Sequence, residues 1–450
     1  MTRVEKTRLG AALLATLALR LSLWAHLARD PKKLLVPDSP SYEIPALNLV
    51  EGRGFSGSIR PPFEPETFRT PGYPLFLAAH RLGSPSDRWP ALSQSLLETG
   101  TALLAAACAA LLAPGPGAWL AAAFYGLEPM AVAHAPLILS EPLFSFSFML
   151  SLFLLLSAGP EGRAGPAAGA GLCLGFAALT RPIACYLPLP LGIALCWPWR
   201  RRPRALAVFL LSAALLPALW CARNKRLFGR FSMSTVPGIN LLEYDAAAVR
   251  AAVAGEAPPL AKRELMERFE AQSPPGAGPF ERSDLKASFA RREIKGHIGA
   301  LLRVHVVSGF KMLAGPGVDL LASELYDDAT SGEGRSDVMT GRGTLALLAR
   351  HPTLWAVVLF ETLLLAAVYL FGARGAFRIA RRGGFWAAAW LAPLVYLAAL
   401  STGGWAYYRF RVPLWPLFSA LAAVGAALPP TKRETAAHAS KIMPPINGRR

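Results

Sequence analysis

Seven charged residues stand where a proton or an anion would have to be handled. Asp38 lies in "PDSPSYE", ten residues beyond Ala28, where the first apolar stretch ends. Arg69 lies in "FRTPGYP", Glu141 in "LSEPLF", Arg181 in "TRP", Arg223 in "ARN" beside Asn224, and Arg409 and Arg411 in "YYRFRVPLWP". A carboxylate can take a proton as a general base. A guanidinium matches phosphate oxygens in a bidentate fork. One acid among several arginines therefore points to chemistry on a phosphate-bearing substrate. Each residue also has a plainer reading. Asp38 suits the N-cap of a helix starting at 41. Glu141 suits the first turn of a helix, where it offsets the helix dipole. An arginine at the end of an apolar segment usually reaches back to the interface. Glu43 follows Asp38 by five residues, so the two acids need not share a face and are not read as a pair.

The elements that must position these residues are apolar helices. The chain of 450 residues is 53% hydrophobic and only 17% charged, too little charge for an ordinary soluble protein of this size. Stretches near the length that crosses the hydrocarbon core, about 20 residues, recur at 9–28, 91–113, 118–136, 140–157, 166–180, 183–198, 205–222, 353–372, 385–402 and 411–428. The expected fold is an all-α polytopic membrane protein of about ten transmembrane helices with outward-facing loops that hold short interfacial helices. One membrane domain covers 1–428, and a basic tail follows at 429–450.

The net charge of +18 does not indicate nucleic acid, because of where it sits. Arg3, Lys6 and Arg8 precede the first span. Arg200, Arg201, Arg202 and Arg204 separate the sixth and seventh. Arg374, Arg378, Arg381 and Arg382 separate the eighth and ninth, and Lys432, Arg433, Lys441, Arg449 and Arg450 end the chain. All fall on one side, the positive-inside pattern, which places both termini in the cytoplasm and the loops 29–90, 223–351 and 403–410 outside. The same bias should keep cations off short outer turns. Arg181 and Arg409 break it, which is why they read as anion ligands. Arg20, inside the first span, is costly there and calls for a partner.

The first outer loop, 29–90, holds Asp38, a helix expected at 41–51, a turn rich in glycine at Gly52, Gly54 and Gly57, and a proline-rich extended piece at 61–74. In the second, 255–279 reads as irregular from its Pro and Gly content, and 281–314 as helical. Arg303, His305 and Lys311 make 298–314 an interfacial helix in this reading rather than a span. Gly165, Gly169, Gly171 and Gly175 predict close helix packing in the fifth span. The five cysteines all lie in predicted spans and read as small apolar groups rather than disulfides. No H-E-x-x-H or P-loop is present. No cofactor is expected, and a divalent ion on the outer-loop acids stays open.

Together, "DSPSYEIPALNLVEGRGF…FRTPGYPLFLA", "LSEPLF", "LTRP", "CARN" followed by "GINLL", and "YYRFRVPLWP" resemble, in the same order, segments of the GT-C membrane glycosyltransferases of the protein O-mannosyltransferase and aminoarabinose transferase type. The likeness runs over 9–428 and is weak within 245–350. It implies a polyprenyl-phosphate-linked sugar as donor, with a glycan, lipid or protein hydroxyl as acceptor at the outer face of the cytoplasmic membrane. It also implies Asp38 as the catalytic acid residue, with Tyr42, Arg69 and Tyr73 at the matching motif positions. Ser39 stands where many relatives carry a second acid. A phosphodiester leaves as an anion without protonation, so one base and several cations suffice, and inversion at the anomeric carbon follows. Asp38 is then the base. Arg69, Arg223, Arg409 and Arg411 are candidates for the donor phosphate. Tyr42, Glu43, Tyr73, Glu141, Arg181 and Asn224 are further candidates for the site. Two alternatives remain: a transporter of a lipid-linked or anionic substrate, which would be expected to show inverted repeats, and an inactive membrane scaffold.

Overall fold

Apolar helices dominate the computed structural model, which describes residues 2–113, 117–326 and 342–427. The first half runs α1 (Arg3–Leu27), α2 (Pro40–Val50), α3 (Gly72–Arg81), α4 (Arg88–Leu112), α5 (Ala118–Gly126), α6 (Pro129–Ala133), α7 (Glu141–Ala158), α8 (Ala164–Thr180), α9 (Pro188–Cys196) and α10 (Pro203–Phe228). Five short helices and a bent sixth follow: α11 (Val236–Ile239), which continues as a π-helical stretch over Asn240–Ala246, α12 (Ala247–Ala254), α13 (Pro258–Gln272), α14 (Pro279–Lys295), α15 (Ile298–Ala314) and α16 (Val318–Tyr326). The chain closes with α17 (Arg342–Arg350), α18 (Thr353–Arg382), α19 (Gly384–Leu400), a 3-10 segment at Tyr408–Leu414 and α20 (Trp415–Ala426). Among the described residues there is no strand, only an isolated bridge between Ser56 and Pro65.

The all-α membrane architecture expected from the sequence is present, and each expected span meets a helix. Among the described residues, five are long and apolar enough to cross a membrane: α1, α4, α7, α10 and α18; the bent pair α15 and α16 makes a sixth if taken together. The others are shorter or broken. The stretch 118–136 breaks at Glu128, which caps α6 with its side chain. The stretch 183–198 divides into a 3-10 turn, Pro182–Ala184, and nine-residue α9. The span expected at 411–428 starts as the 3-10 segment, and the basic tail at 429–450 lies outside the described residues.

Small residues set the packing. A Cβ on Gly171 of α8 would fall 2.3 Å from the Phe209 carbonyl oxygen of α10, and one on Gly175 would fall 2.8 Å from that of Ala213. Close approach of α8 and α10 therefore needs these glycines. Gly165 meets nothing within 4 Å, and Gly169 meets only a Leu154 side chain. The residues 258–272 correct the irregular reading. Their prolines open α13, where a missing N–H costs nothing, and Ala261, Leu265 and Phe269 bury one face at four-residue spacing. The helix read over 281–314 breaks at Gly296 and His297 into α14 and α15. Leu242, Val249, Leu265, Phe269, Phe289 and Ile294 give this outer segment its own small core. Of the cysteines, Cys108 and Cys221 are buried, whereas Cys196 is exposed on α9.

Two arginine centres lie inside the bundle. Arg20 of α1 donates to the Gly126 carbonyl at 2.9 Å and sits 3.8 Å from Glu98 of α4, which also accepts from Tyr125. Arg411 is fully buried. Its Nη2 reaches Glu128 at 2.9 Å and also Glu361 of α18, while Nη1 donates to the carbonyls of Met312, Leu313 and Gly315 at 3.3, 3.1 and 3.0 Å. Removing one partner from such a group leaves uncompensated buried charge. Arg411→Ala is expected to destabilise the fold by roughly 3–5 kcal/mol, read as a lower melting temperature in detergent. Combining Arg411→Leu with Glu128→Gln and Glu361→Gln should recover part of that loss, because no charge is then left unpaired.

Candidate active site

Five charged side chains from five separate places in the chain form one alternating row. Arg181, just past the end of α8, pairs with Glu141 at 2.8 Å. Glu141, the first residue of α7, also accepts from Arg409 Nε. Arg409, in the 3-10 segment, donates from Nη1 to Asp38 Oδ2 at 2.7 Å. Arg69, ahead of α3, lies 3.6 Å from Asp38 Oδ1. Asp38 therefore caps no helix: both its oxygens face arginines, and the residue at the N-cap of α2 is Ser39. Three guanidiniums stand against two carboxylates, so the row carries one positive charge in excess. The acids differ in access. Glu141 has a side-chain exposure of 0%, Asp38 one of 42%. Of the two acids, only Asp38 is open to solvent.

Local structure explains the placement. The Arg69 Nε donates to Ser41 Oγ at 2.8 Å, and its guanidinium lies 4.0 Å over the Tyr42 ring. The backbone N–H of Arg69 is turned by the Glu66 carboxylate at 3.1 Å. Gly72 allows the start of α3 to touch the end of α8: a Cβ there would fall 2.7 Å from the Leu179 backbone. This contact holds the Arg69 loop next to Arg181. Tyr42 reaches Ser140 at 3.3 Å and packs edge-on against Tyr73 at 5.0 Å. Tyr73 is buried and donates to Gln94, which makes it a support for the site rather than a wall of it. Ser39, in the place of a second acid, is buried too. Its Oγ accepts from Val36 N and donates to the Ile138 carbonyl, each at 2.9 Å.

The remaining candidates are not brought to Asp38. Arg411 has no exposed surface and its guanidinium is taken up by two glutamates and three carbonyls, so it is corrected from phosphate ligand to anchor. Arg223 donates to the Glu66 carbonyl at 2.9 Å and to Asn224 Oδ1 at 2.7 Å. It grips the loop that carries Arg69 without reaching the row. Asn224 is buried and holds the Ser232 carbonyl at 2.7 Å, again a support. Glu43 pairs with Arg81 at 2.6 Å, and Asp87 meets the same nitrogen at 2.9 Å. Both site acids are occupied by arginines, and among the described residues no three His, Cys, Asp or Glu side chains converge as a metal would need.

Sequence reasoning missed the partners Glu98, Glu128 and Glu361. Each is a lone acid inside an apolar stretch, which is itself a signal of a buried pair. Ser41 and Ser140, the polar neighbours of the row, carry no such signal.

Comparison with known proteins is consistent with this architecture. No family model matches the chain, and no curated sequence matches it. Among solved structures, the apo oligosaccharyltransferase of Archaeoglobus fulgidus is similar at a TM-score of 0.51 and 14% identity, over 93% of this chain and 50% of that one. ArnT from Cupriavidus metallidurans is similar in its apo state at a TM-score of 0.39 and 16% identity, over 92% of this chain and 77% of that one. Its complex with undecaprenyl phosphate gives 0.41 and 15%, over 95% and 79%. The chain thus shares the helical membrane fold of the oligosaccharyltransferase, an architecture of the kind the sequence led one to expect. The chain spans about half the length of the oligosaccharyltransferase chain it matches.

The Glu43 cluster gives a pH signature. Burial and the neighbouring Asp87 push the Glu43 carboxyl up to about 7, with Arg81 pulling the other way. Between about pH 4.5, where an unfolded glutamate ionises, and about pH 7, the folded state keeps a proton that the unfolded chain has lost. Stability should therefore fall as pH rises through that window. In Glu43→Gln, thermal melts compared at about pH 5 and about pH 8 should lose this component of the slope.

Proposed function

We propose that the chain is an inverting glycosyltransferase that moves a sugar from a polyprenyl-phosphate donor to an acceptor hydroxyl. The observation that carries this reading is the row Arg181–Glu141–Arg409–Asp38–Arg69, which ends in one accessible carboxylate flanked by two guanidiniums. In this reading Asp38 takes the proton of the acceptor hydroxyl as its oxygen attacks the anomeric carbon. The bond to the phosphate oxygen breaks on the opposite face, and the polyprenyl phosphate leaves with the electron pair. Arg409 and Arg69 stabilise the charge that grows on the leaving phosphate, a role in which aligned cations contribute most. The single positive charge in excess suits a phosphodiester monoanion. A glycan, lipid or protein would supply the hydroxyl.

The reading places the chain in the cytoplasmic membrane, with both termini inside and the row at the outer surface, where a lipid-borne donor and an acceptor from outside can meet. The positive-inside distribution of the basic clusters supports that orientation. The fold shared with an oligosaccharyltransferase raises the prior for transfer chemistry, although fold alone does not fix function.

In native membranes supplied with a panel of polyprenyl-phosphate sugars, wild type should release polyprenyl phosphate, followed by mass spectrometry. Asp38→Asn should insert normally and lose about 10²–10⁴-fold in turnover, the span of general-base catalysis; full turnover by this variant would rule out the base role. Arg409→Ala should lower kcat/KM for the donor by about 10²-fold, with a smaller effect on the acceptor. Arg409→Lys should restore little, because the fork that matches phosphate and carboxylate together is gone. Equal effects on donor and acceptor would argue against a phosphate contact.

A further inference from the structure

A second basic concavity opens away from the row. It has a volume of about 350 Å³ and is lined by Tyr186, by Arg230, Phe231 and the serines of the segment that follows α10, and by Asp284 and Arg291 of α14. Tyr186 stands two residues before α9 and Arg230 two residues after α10, helices that pack together. Below it, Leu189 and Ile193 of α9 and Leu211, Leu215 and Leu219 of α10 are exposed apolar side chains, the surface that acyl chains cover in a bilayer. At its lip, Tyr186 and Phe231 are exposed at 71% and 63%, aromatics at the level where a membrane meets water. Above them, Lys225 and Arg226 end α10, and Arg230 and Arg291 face the concavity. Among the described residues the only acid lining it is Asp284, 3.4 Å from Arg230. The Ser234 hydroxyl in its wall is buried without a hydrogen-bond partner.

We propose that this concavity is a binding site for the headgroup of an anionic phospholipid, distinct from the donor site at Asp38. The chemistry is amphipathic in the right order. Apolar side chains lie below, an aromatic lip follows, and cations with the unpartnered Ser234 hydroxyl lie above. A phosphate on an acyl-bearing molecule satisfies all three layers, whereas a soluble phosphate satisfies only the last. The site is also linked to the catalytic row. Thr235 of the same segment donates its N–H to the Thr67 carbonyl at 2.9 Å, two residues before Arg69. A lipid seated here therefore braces the loop that presents Arg69 to Asp38. This inference does not depend on the transfer reaction.

The test uses the full chain in nanodiscs of phosphatidylcholine containing phosphatidylglycerol, extracted gently and weighed by native mass spectrometry. Wild type should retain phosphatidylglycerol in preference to phosphatidylcholine. The Arg230→Ala/Arg291→Ala double variant should reduce that preference by roughly 25-fold, given about a five-fold gain in anionic-lipid binding per basic residue near the surface. Asp284→Asn should raise it, because it frees Arg230. Glycerol 3-phosphate, which carries the headgroup without acyl chains, should not displace the retained lipid. Unchanged preference in the double variant, a fall in Asp284→Asn, or displacement by glycerol 3-phosphate would each overturn the proposal.

Discussion

The structure turns on one buried guanidinium. Arg411 has no contact with solvent, and a charge so placed persists only when opposite charge and hydrogen bonds replace the water it has lost. The replacements come from three separate parts of the chain, Glu128 before α6, Glu361 of α18, and the carbonyls at the end of α15, all gathered on the 3-10 segment that holds Arg411. None of these elements can slide without stripping the arginine. Tyr369 strengthens the knot by donating to the Leu313 carbonyl at 2.7 Å. The consequence for the site is geometric. Successive residues of a 3-10 turn are about 120° apart, so residues two apart face different sides. With Arg411 fixed inward, Arg409 faces the row of acids.

The row itself works by sharing. Glu141 is held by two arginines, and so is Asp38, yet the two acids end in different states of access. Glu141 lies at the start of α7, covered on all sides, and serves to align Arg181 with Arg409. Asp38 lies on the loop before α2 and keeps part of its carboxylate open. The arrangement leaves Asp38, the base in the proposed reading, open to solvent and keeps the aligning acid in the core. It follows the general rule that a precise site needs an outer shell held by rigid elements: here α7, α8 and the pinned 3-10 turn. The loop residue Arg69 is the exception, and it is restrained from two sides, by Gly72 packing on the end of α8 and by Arg223 gripping the Glu66 carbonyl.

Much of this could be read from the residues. Apolar length located the helices, and the chemistry of one acid with several arginines picked out Asp38, Arg69, Arg181, Glu141 and Arg409, which the structure joins. Sidedness could not do more. Arg409 and Arg411 share one turn and one side of the membrane, and only the 3-10 geometry separates a site arginine from a buried anchor. Arg20 was legible as needing a partner, but the choice of Glu98 depends on how α1 crosses α4, which no local pattern records. Glu128 and Glu361 were readable as acids in apolar stretches and were passed over. Residues 258–272 failed for a different reason: prolines were counted as breakers, although at the start of a helix they are neutral.

The Arg411 knot and the row differ in how their guanidiniums are occupied, and that difference gives the 3-10 turn a direction. Around Arg411, two glutamates and three carbonyls take up one guanidinium; in the row, three guanidiniums stand against two carboxylates. A phosphate approaching Arg411 would have to displace two glutamates and leave them buried without a partner, at a cost no single new contact repays. A phosphate approaching Arg409 and Arg69 meets an excess of positive charge beside a partly open carboxylate, and needs only to share guanidiniums that can serve several oxygens at once. An anion is therefore favoured on the Asp38 side of the turn and disfavoured on the other, and in the proposed reading the same short peptide that locks the helices together also sets where the donor phosphate sits.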